Sequence, residues 1–206
     1  MSEKIYVVWA GRQPGIYHTW EECKQQISGW NGARFKAYDS LKEAEIAYKL
    51  DPDDLNLVMV KGVVMTKKEL REIGEPNLQS ISVDAACSGN PGRMEYRGVD
   101  TATKKVIFHG GPYQNSTNNI GEFLALVHGL AYMVKINDTR PVYSDSQTAM
   151  TWVRNKEVYS SIDWSNKSMQ VVNRAIKWLH NVEYPNEILK WHTKIWGEIP
   201  ADFGRK

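Results

Sequence analysis

Four carboxylates are the residues of this chain whose type and placement could do chemistry: Asp84, Glu122, Asp145 and Asp202. Asp84 sits in a short apolar run, Ile81, Val83 and Ala85, that reads as a buried strand closed by the turn residues Gly89-Asn90-Pro91-Gly92. An ionised carboxylate inside a strand is costly unless a cation or hydrogen bonds compensate it. The glycines of the turn let backbone approach another molecule closely. Glu122 begins a long helical pattern, Asp145 ends a strand where another helix starts, and Asp202 lies in the final segment W-G-E-I-P-A-D-F-G-R-K. Each has an ordinary reading as well. Asp84 could hydrogen-bond turn amides, Glu122 could close a capping box on Asn119, Asp145 could be an N-cap, and Asp202 could belong to a solvated tail. Together they fall at strand ends and helix starts, where an α/β sheet places its ligand crevice.

Carboxylates are hard oxygen ligands, and a cluster of them without a His or Cys pattern favours Mg²⁺ or Mn²⁺ over Zn²⁺. Crowded anions also require a cation to hold them together. Two such ions about 3.5–4 Å apart can activate a water and stabilise the leaving oxygen of a phosphodiester.

The elements that must position these residues follow from the periodicities of residues 80–206. Strand 80–86 is followed by strand-like runs at 94–99 and 104–109. A helix follows whose apolar face is Phe123, Leu126, Val127, Leu130, Tyr132 and Val134. A strand at 142–145, a helix from Ser146 to about Asn155, an amphipathic helix over 165–180 and a strand at 187–192 complete the pattern. The order βββαβααβ predicts an α/β fold, a mixed five-stranded sheet with helices on both faces.

Residues 1–50 form a separate pattern. Strands are expected at 4–9, 16–18 and 33–38, with helices over 20–28 and 40–50 capped by Thr19 with Glu22 and by Ser40 with Glu43. This ββαβα unit is a small α+β domain near the lower size limit for folding without metals or disulfides. Residues 51–79 read as a partly ordered linker, bounded by the breakers D-P-D-D and E-P-N, with Thr66 and Glu69 placed to cap a helical turn or two.

Composition narrows the setting. The net charge of the 206 residues is +2, and the first fifty carry seven Lys/Arg against six Asp/Glu, so charge alone does not announce a nucleic-acid binder. The 8 Trp and 10 Tyr supply aromatic faces that stack on bases or fill cores. Two cysteines in no C-x-x-C pair suggest a reducing compartment. With no membrane-length apolar run and no h-region at the charged N-terminus, the expectation is a cytoplasmic protein with no membrane partner.

The motifs D-A-A-C-S-G-N-P-G, T-N-N-I-G-E, Y-S-D-S-Q and G-E-I-P-A-D occur in order, and with them residues 80–206 resemble the type 1 ribonuclease H catalytic domain. The runs Y-V-V-x-x-G-R-x-P-G-I-Y-x-T-W-x-E-C and G-A-R-F-K-A-Y make residues 4–49 similar to the hybrid-binding, viroplasmin-like domain that precedes it in that family. The resemblance implies an endonuclease that hydrolyses the RNA strand of an RNA/DNA hybrid, leaving 3′-hydroxyl and 5′-phosphate ends. It implies two Mg²⁺ ions, replaceable by Mn²⁺, on Asp84, Glu122, Asp145 and Asp202, with Glu198 assisting in metal and product handling. The resemblance implies that the Cys87 to Gly89 backbone, Glu122 and Gln147 contact the ribose 2′-hydroxyls that distinguish RNA from DNA, and that Asn90, Asn118 and Gln147 touch minor-groove edges. Thr117, Asn119 and Ser160 match the family's pocket for a DNA phosphate. In the N-terminal domain Trp20 is implied to stack on DNA, with Phe35, Lys36, Tyr6 and Arg34 around it.

The sequence departs from the family in three places. Ala37 stands where relatives often carry a second Lys, N-K-E-V-Y-S-S-I-D-W lacks the basic handle of many relatives, and the loop W-G-E-I-P-A has no His, leaving Glu198 as its proton or metal handler. A binding protein of the same fold that cuts nothing is the alternative, which the complete carboxylate set disfavours. An integrase-type strand transferase is a further one, against which the implied 2′-hydroxyl readers argue.

Overall fold

Short runs of β-branched and aromatic residues build three sheets among the described residues, two in the first unit of the chain and one in the second. The computed structural model describes residues 4–50, 57–60 and 63–204 and divides the chain into units Met1–Gly74 and Glu75–Lys206. Among the described residues no helix is long and apolar enough to cross a membrane.

In the first unit β1 (Ile5–Ala10) lies between β2 (Gly15–Tyr17) and β3 (Arg34–Tyr38), antiparallel to both. Helices α1 (Trp20–Ile27) and α2 (Leu41–Lys49) follow β2 and β3. Thr19 forms the expected capping box with Glu22, and the Ser40 hydroxyl accepts from the Glu43 amide. Val7, Tyr38, Ala44 and Ala47 make a small core with Ile5, Trp9 and Ile16 packed on it. Residues 51–79, read from the sequence as a linker, hold a hairpin of β4 (Leu57–Val60) and β5 (Val63–Thr66) and then α3 (Lys67–Ile73). Thr66 and Glu69 form a capping box at the start of α3. The D-P-D-D run lies outside the described residues.

The second unit is a mixed five-stranded sheet in the order β10-β9-β6-β7-β8. Strands β6 (Ile81–Gly89), β7 (Gly92–Asp100) and β8 (Val106–Ser116) form an antiparallel meander. Strands β9 (Val142–Ser144) and β10 (Ile188–Lys190) run parallel to β6. The helices are α4 (Asn118–Lys135), α5 (Gln147–Asn155), α6 (Lys167–Asn181) and the short α7 (Thr193–Trp196), which the sequence reading did not anticipate. The mixed sheet with flanking helices agrees with the βββαβααβ reading.

Helix α4 differs from the one-faced helix expected. Ile120 through Val127 are all buried, whereas Tyr132 and Val134 are only half-buried. The cause is placement: α4 lies on β6 and β7 and is covered in turn by α5 and α6, so residues 120–127 have no solvent face.

Candidate active site

Three chain segments deliver the central carboxylates to one place. Parallel pairing sets Ser82 of β6 beside Tyr143 of β9, so two residues further along each strand direction Asp84 and Asp145 come level at the same edge of the fold. Glu122 arrives from α4, and Gly121 governs how close that helix comes. A Cβ at Gly121 would sit 2.7 Å from the Ala85 Cβ and 2.9 Å from the Met94 sulfur, closer than atoms tolerate. A bare glycine therefore lets the helix lie against β6 with Glu122 beside Asp84. One carboxylate oxygen from each of Asp84, Glu122 and Asp145 lies within 4.8 Å of the others.

The electrostatics of this trio are adverse on their own. Burial first, then the Asp145 charge, pushes Asp84 up to about 7. Burial followed by the charges of Asp84 and Asp145 drives Glu122 well above the usual carboxylate range. Asp145 is raised by burial, against the lowering effect of the Lys190 ammonium. Glu122 Oε1 accepts from Asn118 Nδ2 at 3.1 Å, but its buried Oε2 accepts no hydrogen bond from the described residues. Its neighbour Asp84 is another carboxyl, and two carboxyls hydrogen-bond only when one carries a proton. An all-oxygen donor set with an orphaned buried oxygen fits a hard divalent cation, which would satisfy that oxygen and neutralise the crowding.

Two of the ordinary readings of these acids do not hold. The N-cap of α4 is Thr117, whose side chain accepts from Ile120 N, so Glu122 is not the glutamate of a box on Asn119. The N-cap of α5 is Ser146, so Asp145 is spared that role. Asp202 is half-buried, and with Asp84, Ala86, Cys87, Asn118 and Phe203 it lines a cleft of about 260 Å³. It stands outside the tight trio, yet its charge helps raise Asp84 and Asp145. Its Oδ2 accepts from the Gly204 amide at 2.8 Å. Glu198 is exposed and also raises Asp145 through its charge.

The remaining candidates surround this cleft unevenly. Cys87 lines it, while Gly89 and Asn90 are exposed at the β6–β7 turn. Asn118 and Asn119 are exposed in the first turn of α4, and Gln147 is exposed at the start of α5. Ser160 is half-buried in the loop after α5, where its Oγ accepts from Ile162 N at 3.2 Å. Sequence reasoning missed Lys190 and Arg97. The Lys190 ammonium donates to the Asp145 carbonyl, and Arg97 reaches the segment bearing Asp202. No motif marks either one; only strand register brings them near the acids.

The first unit carries an aromatic face. Strand alternation puts Tyr6, Val8, Phe35 and Ala37 on one side of its sheet, with Tyr6 opposite Ala37 and Val8 opposite Phe35. Trp20 stands 5.5 Å from Tyr6 and 5.8 Å from Phe35, ring centre to ring centre. Trp20 is 40% and Phe35 44% exposed, so neither fills the core, which lies on the opposite side against α2. Arg34 and Lys36 are exposed on the same strand. Lys36 pairs with the buried Val7, on the α2 side, and its Nζ lies 5.7 Å from the centre of the Tyr38 ring.

Residues 77–195 match the family model for RNase H, more than half of the chain. The chain belongs to the ribonuclease H family. Residues 4–48 also match the model of the ribonuclease H1 N-terminal domain. A ribonuclease H of Cupriavidus necator is 30% identical over 122 residues, covering 56% of this chain and 81% of that protein. A ribonuclease H of Crithidia fasciculata is 48% identical over 44 residues, 21% of this chain. The chain spans only 9%, 12% and 15% of the length of the first curated relatives it matches. Among solved structures, RNase H1 of Halobacterium salinarum is similar at 20% identity and a TM-score of 0.38, covering 56% of this chain and 87% of that one.

Proposed function

We propose that this ribonuclease H family member is an endonuclease that hydrolyses the RNA strand of RNA/DNA hybrids. The observation that carries the reading is the trio Asp84, Glu122 and Asp145, gathered within 4.8 Å from three separate elements with a buried carboxylate oxygen left unsatisfied. In this reading Asp84, Glu122, Asp145 and Asp202 hold two Mg²⁺ ions, or Mn²⁺ in their place. Bound there, the ions supply activation of the attacking water and stabilisation of charge on the leaving oxygen. The water oxygen bonds to phosphorus, the bond from phosphorus to O3′ breaks, and a proton passes to that oxygen, leaving 3′-hydroxyl and 5′-phosphate ends. Glu198, exposed beside the cluster, is suited to exchange a proton with solvent during product release. Cys87 to Gly89, Asn90, Asn118 and Gln147 read the ribose 2′-hydroxyls and the minor groove, while Thr117, Asn119 and Ser160 grip a phosphate of the DNA strand. The N-terminal unit holds the hybrid through Trp20, Tyr6 and Phe35, with Arg34 and Lys36 contributing charge.

The test is cleavage of matched RNA/DNA, RNA/RNA and DNA/DNA duplexes with Mg²⁺, with product ends mapped. Cutting confined to the RNA of the hybrid supports the reading. Binding of the hybrid without cutting would make the chain a catalytically silent hybrid-binding protein instead, and cutting of DNA/DNA would point to a different nuclease.

A further inference from the structure

Beyond the four acids, one basic residue is placed to govern the last of them. Asp202 does not sit on a strand or helix: it follows α7 in a segment whose only regular feature is the turn that its own amide makes onto the Ile199 carbonyl at 2.8 Å. The upstream end of that segment is well anchored. Trp191 Nε1 donates to the Gly197 carbonyl at 2.8 Å, and Ile199 packs with Tyr143 and Trp191 in a small apolar cluster. Downstream, Arg97 supplies the anchorage. Arg97 lies on β7 directly opposite Asp84, so both side chains leave the sheet on the same face. No ion pair joins it to Asp84 among the described residues; its fork is turned toward the chain end. Nε donates to the Ala201 carbonyl at 2.8 Å and a terminal nitrogen to the Asp202 carbonyl at 2.5 Å. The guanidinium carbon stands 4.5 Å from the centre of the Phe203 ring. Three successive residues centred on Asp202 are thereby tied to the strand partner of Asp84.

We propose that Arg97 is a positioning residue that sets Asp202 at the carboxylate cluster, so that the affinity of the site for divalent metal depends on its guanidinium. The inference rests on the reading of Asp202 as a metal ligand. The geometry requires a fork: two adjacent carbonyls accept from two nitrogens of one planar group while its face lies on an aromatic ring. A lysine ammonium, a point donor, cannot reproduce this. The role is separable from charge compensation, because the two hydrogen bonds go to backbone carbonyls and not to the acids.

The experiment is calorimetric titration of the full chain with Mg²⁺ in the absence of nucleic acid, for the wild type, Arg97→Lys, Arg97→Ala, Asp202→Asn and the Arg97→Ala/Asp202→Asn pair. Loss of such an outer support weakens metal binding roughly 10- to 100-fold. We expect Arg97→Ala to fall in that range, Arg97→Lys to recover only part of it, and the double variant to bind no more weakly than Asp202→Asn alone. Steady-state kinetics should show kcat rising back toward wild type as Mg²⁺ is increased, with KM for hybrid unchanged. Unaltered Mg²⁺ affinity in Arg97→Ala would overturn the proposal, as would an equal loss with Asp202 already removed, the mark of a general packing role. If Arg97→Ala does not fold, Arg97→Lys and its pair with Asp202→Asn carry the same comparison. A wild-type chain that binds no Mg²⁺, or an Asp202→Asn chain that binds it as tightly as wild type, would instead sink the metal-ligand reading and the inference with it.

Discussion

At the scale of single residues the cluster is a place where stability and chemistry oppose each other. Asp145→Asn keeps the shape of the side chain and removes the charge that a metal requires. We predict that it abolishes Mg²⁺-dependent cleavage while hybrid binding and the melting temperature stay near wild type; more than a small residual rate in single-turnover assays would contradict this. Asp84 adds a pH-dependent expectation. Its folded value of about 7 lies above the ordinary 3.8, so the folded state holds the proton more tightly than the unfolded chain does. Stability from this group is then fully present below about pH 4 and lost as pH rises through 7. In EDTA, Asp84→Asn should therefore melt higher than wild type at pH 8, and the gap should shrink as pH falls to 5. Thermal denaturation by circular dichroism at the two pH values checks it, and a wild-type chain more stable than the variant at pH 8 would refute it. Asp84 was legible in the sequence because a carboxylate in an apolar strand breaks a pattern, whereas Glu122, Asp145 and Asp202 each have an ordinary reading and stood out only through the four ordered motifs. Lys190 and Arg97 were not legible, since a basic residue in a half-buried strand breaks no pattern.

At the scale of elements, helix α4 decides the site, and Gly121 decides α4. The sequence announces the helix through its apolar spacing, but not that it is enclosed, because a 3.6-residue pattern reports one covered face and α5 and α6 supply the others. Likewise α7 is too short to leave a periodic trace, and the hairpin β4–β5 hides in a stretch read only as a partly ordered linker. Strand β8 extends to Ser116, past the expected end at His109, because the G-G-P run that looks like a terminator is absorbed by irregular pairing with β7. The close approach at Gly121 gives a direct test. Gly121→Ala places a methyl group against Ala85 and Met94, and such overpacking costs about 1–3 kcal/mol. The helix must retreat from β6 or the strand must bend, and either moves Glu122 away from Asp84. We predict a fall in kcat of at least about tenfold, since misplacement of an ångström can cost a hundredfold. Melting by circular dichroism should show a lower but still cooperative transition. Wild-type kcat in a destabilised Gly121→Ala chain would separate packing from site geometry and refute the prediction.

At the scale of the molecule the proposed reading pairs a site that cuts with a unit that holds. Joining the two raises the effective concentration of one site at the other without altering the chemistry. Residues 75–206 alone should cleave with near-normal kcat at saturating hybrid, but with weaker binding and fewer cuts per encounter on long hybrids. Equal processivity without the first unit would defeat this. How that unit grips its ligand is the sharper question, because seven basic residues against six acidic ones over its first fifty positions leave little net attraction. The aromatic side of the sheet offers a different means. Tyr6, Trp20 and Phe35 form a partly exposed row, and stacking on an aromatic contributes about 1–3 kcal/mol per base. Lys36 leaves the strand on the other side, so in the proposed reading it would reach a phosphate only around the edge of β3, whereas Ala37 lies on the aromatic side opposite Tyr6. In an Asp145→Asn background that binds without cutting, Trp20→Ala should weaken hybrid binding about five- to 150-fold, with little change in its salt dependence. Lys36→Ala should cost less at moderate salt and flatten the slope of log K against log[salt] by up to about one. Ala37→Lys, placed among the stacking rings, should tighten binding and steepen the slope by about 0.9 if it gains one phosphate. Fluorescence anisotropy at four salt concentrations, run beside thermal melts, reads all three. A folded Trp20→Ala chain with undiminished affinity would rule out stacking, and an Ala37→Lys chain with an unchanged slope would show that the aromatic side does not face the phosphates.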